Sequence, residues 1–60
     1  MKILIAKTID EKRVAIPFKH IVSIEEVSPS ITNIVTIGNN YHRCKGAFSD
    51  YAKLLDSNLI

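Results

Sequence analysis

Hydrophobic and polar positions alternate along most of this chain, and the alternation predicts short β-strands. In the segment 31–37 odd and even positions fall on opposite faces, and β-branched side chains are prominent on both. Val22 and Ile24 are expected to share one face of an earlier strand. The segment 3–8 is apolar on both faces, which predicts a central or interface-facing strand. The pattern predicts strands over about 2–8, 13–16, 21–27, 31–37 and 41–45.

Polar and turn-forming residues separate these strands. Asp10-Glu11-Lys12 joins the first two into a hairpin. Gly38-Asn39-Asn40 joins the last two, with residue types that tolerate positive φ. Pro17 ends the second strand because it has no N–H to donate, and it favours a single helical turn over 17–20. Ser28-Pro29-Ser30 is expected to form a further turn.

From Ala47 onward the period changes from two to 3.6, which predicts a helix over about 47–57. Gly46 is its candidate N-cap, and Asp50 in the first turn suits the positive end of the helix dipole. The apolar stripe of this helix consists of Phe48, Tyr51, Ala52, Leu55 and Leu59. The order of elements predicts one α+β domain over 1–60. We expect a small antiparallel meander or partly open barrel of about five short strands, followed by one C-terminal amphipathic helix.

The composition provides a core but no covalent stabilisation. Hydrophobic residues make up 47% of the 60 positions, yet a chain of this size hides only about 60% of the surface that its unfolded form exposes. Cys44 is the single cysteine, so no internal disulfide is expected. With His20 and His42 it provides too few ligands for a four-ligand structural zinc site. We therefore expect a homo-oligomer, with no metal and no other cofactor.

The chain is expected to be cytoplasmic. A lone thiol favours a reducing, intracellular setting. The apolar run near Met1 is too short for a signal peptide or a membrane span, so no membrane partner is expected. The weight of isoleucine, lysine and asparagine is typical of an AT-rich genome, bacterial or viral. A net charge of +2 permits an anionic partner, although dedicated nucleic-acid binders carry a denser basic stripe.

The densest polar cluster lies in the fifth predicted strand. There Tyr41, Arg43 and Lys45 project from one face. Two cations beside an aromatic ring suit a phosphate or a base, through charge and stacking. Free backbone N–H groups around Gly46, where the chain enters the helix, would attract the same anion. These four residues form the candidate ligand-binding site.

The same cluster has a purely structural interpretation. Arg43 and Lys45 would then be solvated charges near Glu25 or Glu26, and Tyr41 an ordinary aromatic residue of the sheet. The sequence contains no Gly-rich phosphate loop that would exclude this interpretation, so both stay open.

No group of residues has the pattern of a catalytic site. His42 and Cys44 share the other face of the fifth strand, as a nucleophile pair would. No third orienting group is recognisable, however, and a buried structural Cys44 is favoured. Glu25 and Glu26 point to opposite faces, unlike an acid–base pair. His20 would join a metal site only by converging with His42. The chain is therefore expected to be a non-enzymatic binding protein.

The order of elements from Ile16 onward resembles known families. The segment 16–26, with its Ile-x-x-Ile-Glu strand, precedes the alternating strand, a Gly/Asn hairpin, a Tyr-led strand and an amphipathic helix. This order is similar to that of small flagellar proteins of the FlbD/SwrD type and, more distantly, to part of a DNA-binding LytTR domain. The first hairpin, 10–12, departs from the Asn-Gly or Asp-Gly turn of the flagellar proteins. The resemblance implies the architecture and a protein-interaction or regulatory role, and no functional residue.

Three functions are therefore considered. The first is binding or sequestering a small anionic ligand, such as a nucleotide signal, in a pocket that an oligomer builds, because a tiny chain does not enclose ~300 Å³ alone. The second is a protein–protein interaction module of the flagellar type, docking a partner on a strand edge or on the first strand. Nucleic-acid binding ranks third, because two of the four aromatic residues, Phe48 and Tyr51, belong to the buried stripe of the helix.

Overall fold

The strands form where the alternation predicts them, in a computed structural model that describes residues 2–58. In chain order the elements are β1 (Ile3–Lys7), β2 (Arg13–Pro17), β3 (Ile21–Ser28), β4 (Ile31–Thr36), β5 (Asn40–Lys45) and α1 (Phe48–Asn58). One turn of 3₁₀-helix, Phe18–His20, lies between β2 and β3. This order confirms the predicted α+β fold class. Leu59 of the predicted helix stripe lies outside the described residues.

The five strands form two antiparallel sheets. β1 pairs with β2, and in the second sheet β4 lies between β3 and β5. The sheets are joined by an isolated bridge between Thr8 and Cys44, next to which the Ile9 N–H donates to the Arg43 carbonyl at 3.0 Å. They do not close into a barrel, in agreement with the predicted partly open arrangement.

The first strand does not have the central position that was one of its two predicted placements. Apart from the bridge at Thr8, its strand partner within residues 2–58 is β2 alone. Leu4 and Ala6 face the core, whereas Ile3 and Ile5 on the outer face are 49% and 69% exposed. The hairpin covers the second sheet with one face only, which explains why the other face is left in solvent. The interface-facing placement stays a prediction.

The core lies between the two sheets. Its buried apolar residues are Leu4, Ala6, Ile16, Ile34 and Cys44. Two hydroxyl groups of β4 are buried beside them. Thr32 donates to the Gly46 carbonyl at 3.0 Å, and Thr36 donates to the Asn40 carbonyl at 3.3 Å. Because each hydroxyl has a partner, neither carries the cost of an unsatisfied buried polar group.

A β-bulge changes which side chains of β3 face inward. The register of β3 against β4 shifts between Ile21 and Ser23, and an extra residue in a strand interrupts its alternation. Ile21 and Ile24 therefore both pack against the core, while Val22 is 66% exposed. The predicted shared face of Val22 and Ile24 is wrong for this reason.

The helix packs against β3. Its predicted stripe residues within the described part, Phe48, Tyr51, Ala52 and Leu55, are all half-buried. The Ala47 carbonyl accepts the first helical hydrogen bond, from the Asp50 N–H at 3.1 Å. Ala47 thus has the N-cap position predicted for Gly46. Within residues 2–58, α1 and every other helical segment lack the length and apolar composition of a membrane span.

Gly46 instead shapes the turn between β5 and α1. Its φ of +130° lies in a region that favours glycine, and a Cβ there would come within 2.9 Å of Cε2 of Tyr51. The Tyr51 hydroxyl donates to the Lys45 carbonyl at 2.5 Å, and the Gly46 N–H donates to the Ser30 carbonyl at 2.7 Å. The turn therefore fastens the helix to the end of the second sheet.

Candidate ligand-binding site

The outer face of β5 presents the side chains that the alternation predicts. Tyr41, Arg43 and Lys45 are exposed, whereas His42 is half-buried and Cys44 fully buried on the inner face. Tyr41 is 62% exposed, although β5 is paired with β4 along the whole strand. An aromatic ring and two cations thus share one surface.

Arg43 is held by its neighbour on β4. Asn33 is its direct cross-strand partner, and the Arg43 Nε donates to Asn33 Oδ1 at 3.2 Å. This bond uses one of the five N–H donors of the guanidinium. The remaining donors have the forked geometry that suits a phosphate or a carboxylate.

Tyr41 and Arg43 line an open depression of about 540 Å³. Asn33 and Ile9 complete its lining. Ile9 reaches this place because the bridge between Thr8 and Cys44 brings the end of β1 beside β5. We name this surface the Tyr41–Arg43 depression. It combines a ring, a guanidinium, an amide and an apolar side chain, which together suit a planar ligand with a negative charge.

Lys45 does not line the depression. Its Nζ pairs with the Glu11 carboxylate, which also pairs with Lys7 Nζ at 2.9 Å. The hydrogen bond from Lys45 and then that from Lys7 lower the pKa of Glu11. The structural interpretation placed Lys45 near Glu25 or Glu26, whereas its acidic partner in the structure is Glu11. Because the three side chains are exposed, this network adds little stability.

Gly46 also lies apart from the depression. Its N–H donates to the Ser30 carbonyl, so it is not one of the free amides that the sequence suggested. Of the four predicted site residues, the structure brings Tyr41 and Arg43 together, while Lys45 and Gly46 lie at the opposite end of β5.

Two residues of the depression, Asn33 and Ile9, are missing from the predicted site. Hairpin register is the signal that could have identified Asn33, but the predicted loop 38–40 would pair Val35 with Arg43. In the structure the loop is 37–39, and Asn33 pairs with Arg43. Ile9 had no such signal, since its position depends on contact between two separate sheets.

A second depression, of about 340 Å³, opens where the two sheets part. Residues 14–17 of β2, His20, Thr36 and His42 line it. We name it the inter-sheet mouth. A metal site would need His20 and His42 to converge. Both histidines line this one opening. Across the described range, no group of three or more His, Cys, Asp or Glu residues is arranged to hold a metal ion.

Cys44 has the environment of a structural cysteine. It is fully buried, and burial raises the pKa of its thiol. Its Sγ donates to the main-chain carbonyl of His42 at 3.6 Å. A reactive cysteine needs a lowered pKa and access to solvent, so this geometry favours packing over nucleophilic chemistry.

Searches of protein-family models, curated proteins and solved structures find no match to this chain. The resemblance to small flagellar proteins and to a LytTR domain therefore stays a prediction.

Proposed function

We propose that this protein binds or sequesters a small anionic ligand with a planar ring, such as a nucleotide, at the Tyr41–Arg43 depression. The observation that carries the proposal is the exposed ring of Tyr41 beside an Arg43 guanidinium that Asn33 orients. The guanidinium would meet the phosphate, and the ring would stack on the base. Stacking of a base on an aromatic side chain contributes about 1–3 kcal/mol.

The proposed role is binding without conversion of the ligand. A guanidinium and an amide hold an anion but provide neither a nucleophile nor a general base near neutral pH. Tyr41 likewise offers a stacking surface. The nearest thiol, that of Cys44, is buried on the opposite face of β5.

The depression is open, whereas a typical ligand site buries roughly 70–90% of its ligand. A second copy of the chain would provide the missing cover. Ile3 and Ile5 are exposed on the outer face of β1, which they share with Lys7, and Ile9 of the depression follows two residues beyond this lysine. Burying them would also add the apolar area that a chain of 60 residues lacks. We therefore propose a homo-oligomer in which Ile3, Ile5 and the depression meet a neighbouring copy.

The first experiment is native mass spectrometry of protein purified without denaturant. We expect a mass above one chain, with additional mass that a denaturing spectrum loses. Titration with mono- and dinucleotides by calorimetry then identifies the ligand class. Loss of a hydrogen bond to a charged group costs about 1.5–3 kcal/mol, so Arg43→Gln should weaken binding at least tenfold.

Two further variants complete this experiment. Tyr41→Leu should weaken binding of a nucleotide but not of inorganic phosphate, because only the former stacks. Lys53→Gln removes an exposed cation of α1 and serves as the matched control for net charge. Equal affinities of wild type and Arg43→Gln would refute the proposed site. Preferential binding of single-stranded nucleic acid, steeply weakened by salt, would favour the third function instead.

A protein-interaction module is the second candidate function. Apolar side chains scattered singly over a surface would need no partner, but Ile3 and Ile5 are exposed together on one face of β1. The oligomeric state of the wild-type protein in sedimentation experiments distinguishes the two candidates, and Ile5→Lys tests whether β1 forms the contact. Loss of the oligomer in this variant supports self-association through β1. A wild-type protein that is monomeric with and without nucleotide would move the proposal to a different protein partner.

A further inference from the structure

The inter-sheet mouth has a polar end that three connections hold together, one from a side chain and two from the main chain. Thr36 ends β4, and its hydroxyl donates to the Asn40 carbonyl at the start of β5. The Ile37 N–H donates to the His20 carbonyl at 3.0 Å, which ties the 3₁₀ turn to the same end of β4. His42 pairs with Ile34, so it lies on the inner face diagonally across from Thr36. The two imidazoles therefore approach one opening from both sides of β4.

The other wall of the mouth is apolar. β2 contributes Val14, Ile16 and Pro17, and Ile16 belongs to the buried core. A ligand that enters between the sheets would thus contact hydrocarbon on one side and imidazole on the other. Mouths of partly closed β-structures with a few convergent polar groups are a common place for small ligands.

The ionisable and hydrogen-bonding groups that line the mouth indicate which polar group a ligand would carry. Among the described residues 2–58, no acidic side chain lines the mouth, and the ionisable groups in its lining are His20 and His42. The proton of the Thr36 hydroxyl is already donated to Asn40, so the imidazole N–H groups are the side-chain donors that remain. Two histidines without a third ligand are a poor metal site. An acceptor with negative charge fits this lining best.

We propose that the inter-sheet mouth binds a small carboxylic acid with an apolar body. Its carboxylate accepts hydrogen bonds from His20 and His42, and its hydrocarbon part packs against Val14, Ile16 and Pro17. The volume of about 340 Å³ is near the lower end of the range for ligand sites, ~300–1,000 Å³, and selects a short acid. The mouth faces away from the Tyr41–Arg43 depression, because His42 and Arg43 lie on opposite faces of β5, so this inference does not depend on the nucleotide site.

The test is a titration of the isotope-labelled full chain with sodium octanoate, followed by amide chemical shifts. We expect shifts at Val14, Thr36 and His42, and at least tenfold weaker binding of octan-1-ol, which has the same hydrocarbon length but no charge. His20→Gln and His42→Gln should each weaken octanoate binding about tenfold, as loss of a hydrogen bond to a charged group predicts. Arg43→Gln, on the other face, should leave it unchanged.

Several outcomes would overturn the inference. Equal binding of octanoate and octan-1-ol would show a merely hydrophobic contact. Weakening by Arg43→Gln but not by His20→Gln would move the ligand to the other depression. Zinc chloride alone shifting both histidines, with no response to octanoate, would replace the acid by a metal ion. If His42→Gln does not fold, the exposed His20 provides the decisive variant.

Discussion

Replacing Gly46 by alanine tests how the helix is attached to the second sheet. The φ of +130° disfavours any residue with a Cβ, and such strained backbone positions cost about 1–3 kcal/mol. The new methyl group would lie 2.9 Å from Cε2 and 3.2 Å from the hydroxyl oxygen of Tyr51. The ring must then move and lose its hydrogen bond to the Lys45 carbonyl, which contributes about 1 kcal/mol.

The net effect is smaller than the sum of these losses. Alanine restricts the unfolded chain more than glycine does, which offsets about 0.4–1 kcal/mol. We therefore expect Gly46→Ala to lower the free energy of unfolding by about 2–3 kcal/mol. A domain of this size is stable by roughly 3–9 kcal/mol, so the variant should lose a large share of its stability.

Urea denaturation followed by circular dichroism measures this change, and the chain offers a matched control. Gly38 also has a positive φ, +86°, but a Cβ there would meet only Asn40 Nδ2 at an ordinary 3.4 Å. Gly38→Ala thus carries only the backbone cost, about 1–2 kcal/mol, reduced by the same offset of about 0.4–1 kcal/mol from the unfolded chain. Tyr51→Ala provides the complementary control, because in that background Gly46→Ala should lose its steric part.

The result that would refute this reasoning is a Gly46→Ala variant no less stable than Gly38→Ala. The same conclusion would follow if the effect of Gly46→Ala were identical with and without the Tyr51 ring. Either outcome would mean that the close approach of turn and ring contributes nothing to the attachment of the helix.

Three further predictions follow from the ion pairs and the core. Lys45 and Lys7 lower the pKa of Glu11, so their pairing with its carboxylate stabilises the fold above the ordinary pKa of 4.5. This stabilisation is lost as the pH falls through the lowered pKa of Glu11. Thermal melts of Glu11→Gln and wild type should therefore differ slightly near pH 7 and coincide near pH 2. Burial raises the pKa of the Cys44 thiol, so above the ordinary pKa of 9.0 the thiol ionises in the unfolded chain first and the stability of the fold should decline. For the same reason of burial, Ellman's reagent should react with the native protein only as fast as the protein unfolds. In urea titrations Ile34→Val should cost about 0.5–1.5 kcal/mol, whereas Ile5→Val at the exposed position should stay within about 0.5 kcal/mol.

Local patterns predict the elements of this fold because the information lies in neighbouring residues. The alternation over 31–37 identifies β4, and the change of period after Gly46 identifies α1 to within one residue at its start. The face of Val22 could not be predicted, since a bulge depends on pairing with another strand. The N-cap position of Ala47 could not be predicted either. The glycine at position 46 suggested a cap there, but it is needed because the Tyr51 ring approaches its Cα closely.

Within the candidate site, the sequence predicts only the residues that belong to a single strand. Alternation along β5 places Tyr41 and Arg43 together on the outer face. It says nothing of Glu11, which has a positive φ of 69° in a turn far along the chain and takes Lys45 out of the site. The approach of His20 to His42 is also a tertiary effect.

The junction at Thr8 and Cys44 has a consequence for the order of folding. The hairpin β1–β2 and the meander β3–β5 each pair strands that are neighbours in sequence, so both close short loops at small entropic cost. Docking one on the other requires contact between distant parts of the chain, and such contacts are slower to form. The Ile9 amide, bonded across this junction to the Arg43 carbonyl, exchanges its hydrogen only when the two units separate. Its exchange rate therefore measures how cooperatively two small sheets behave as one molecule.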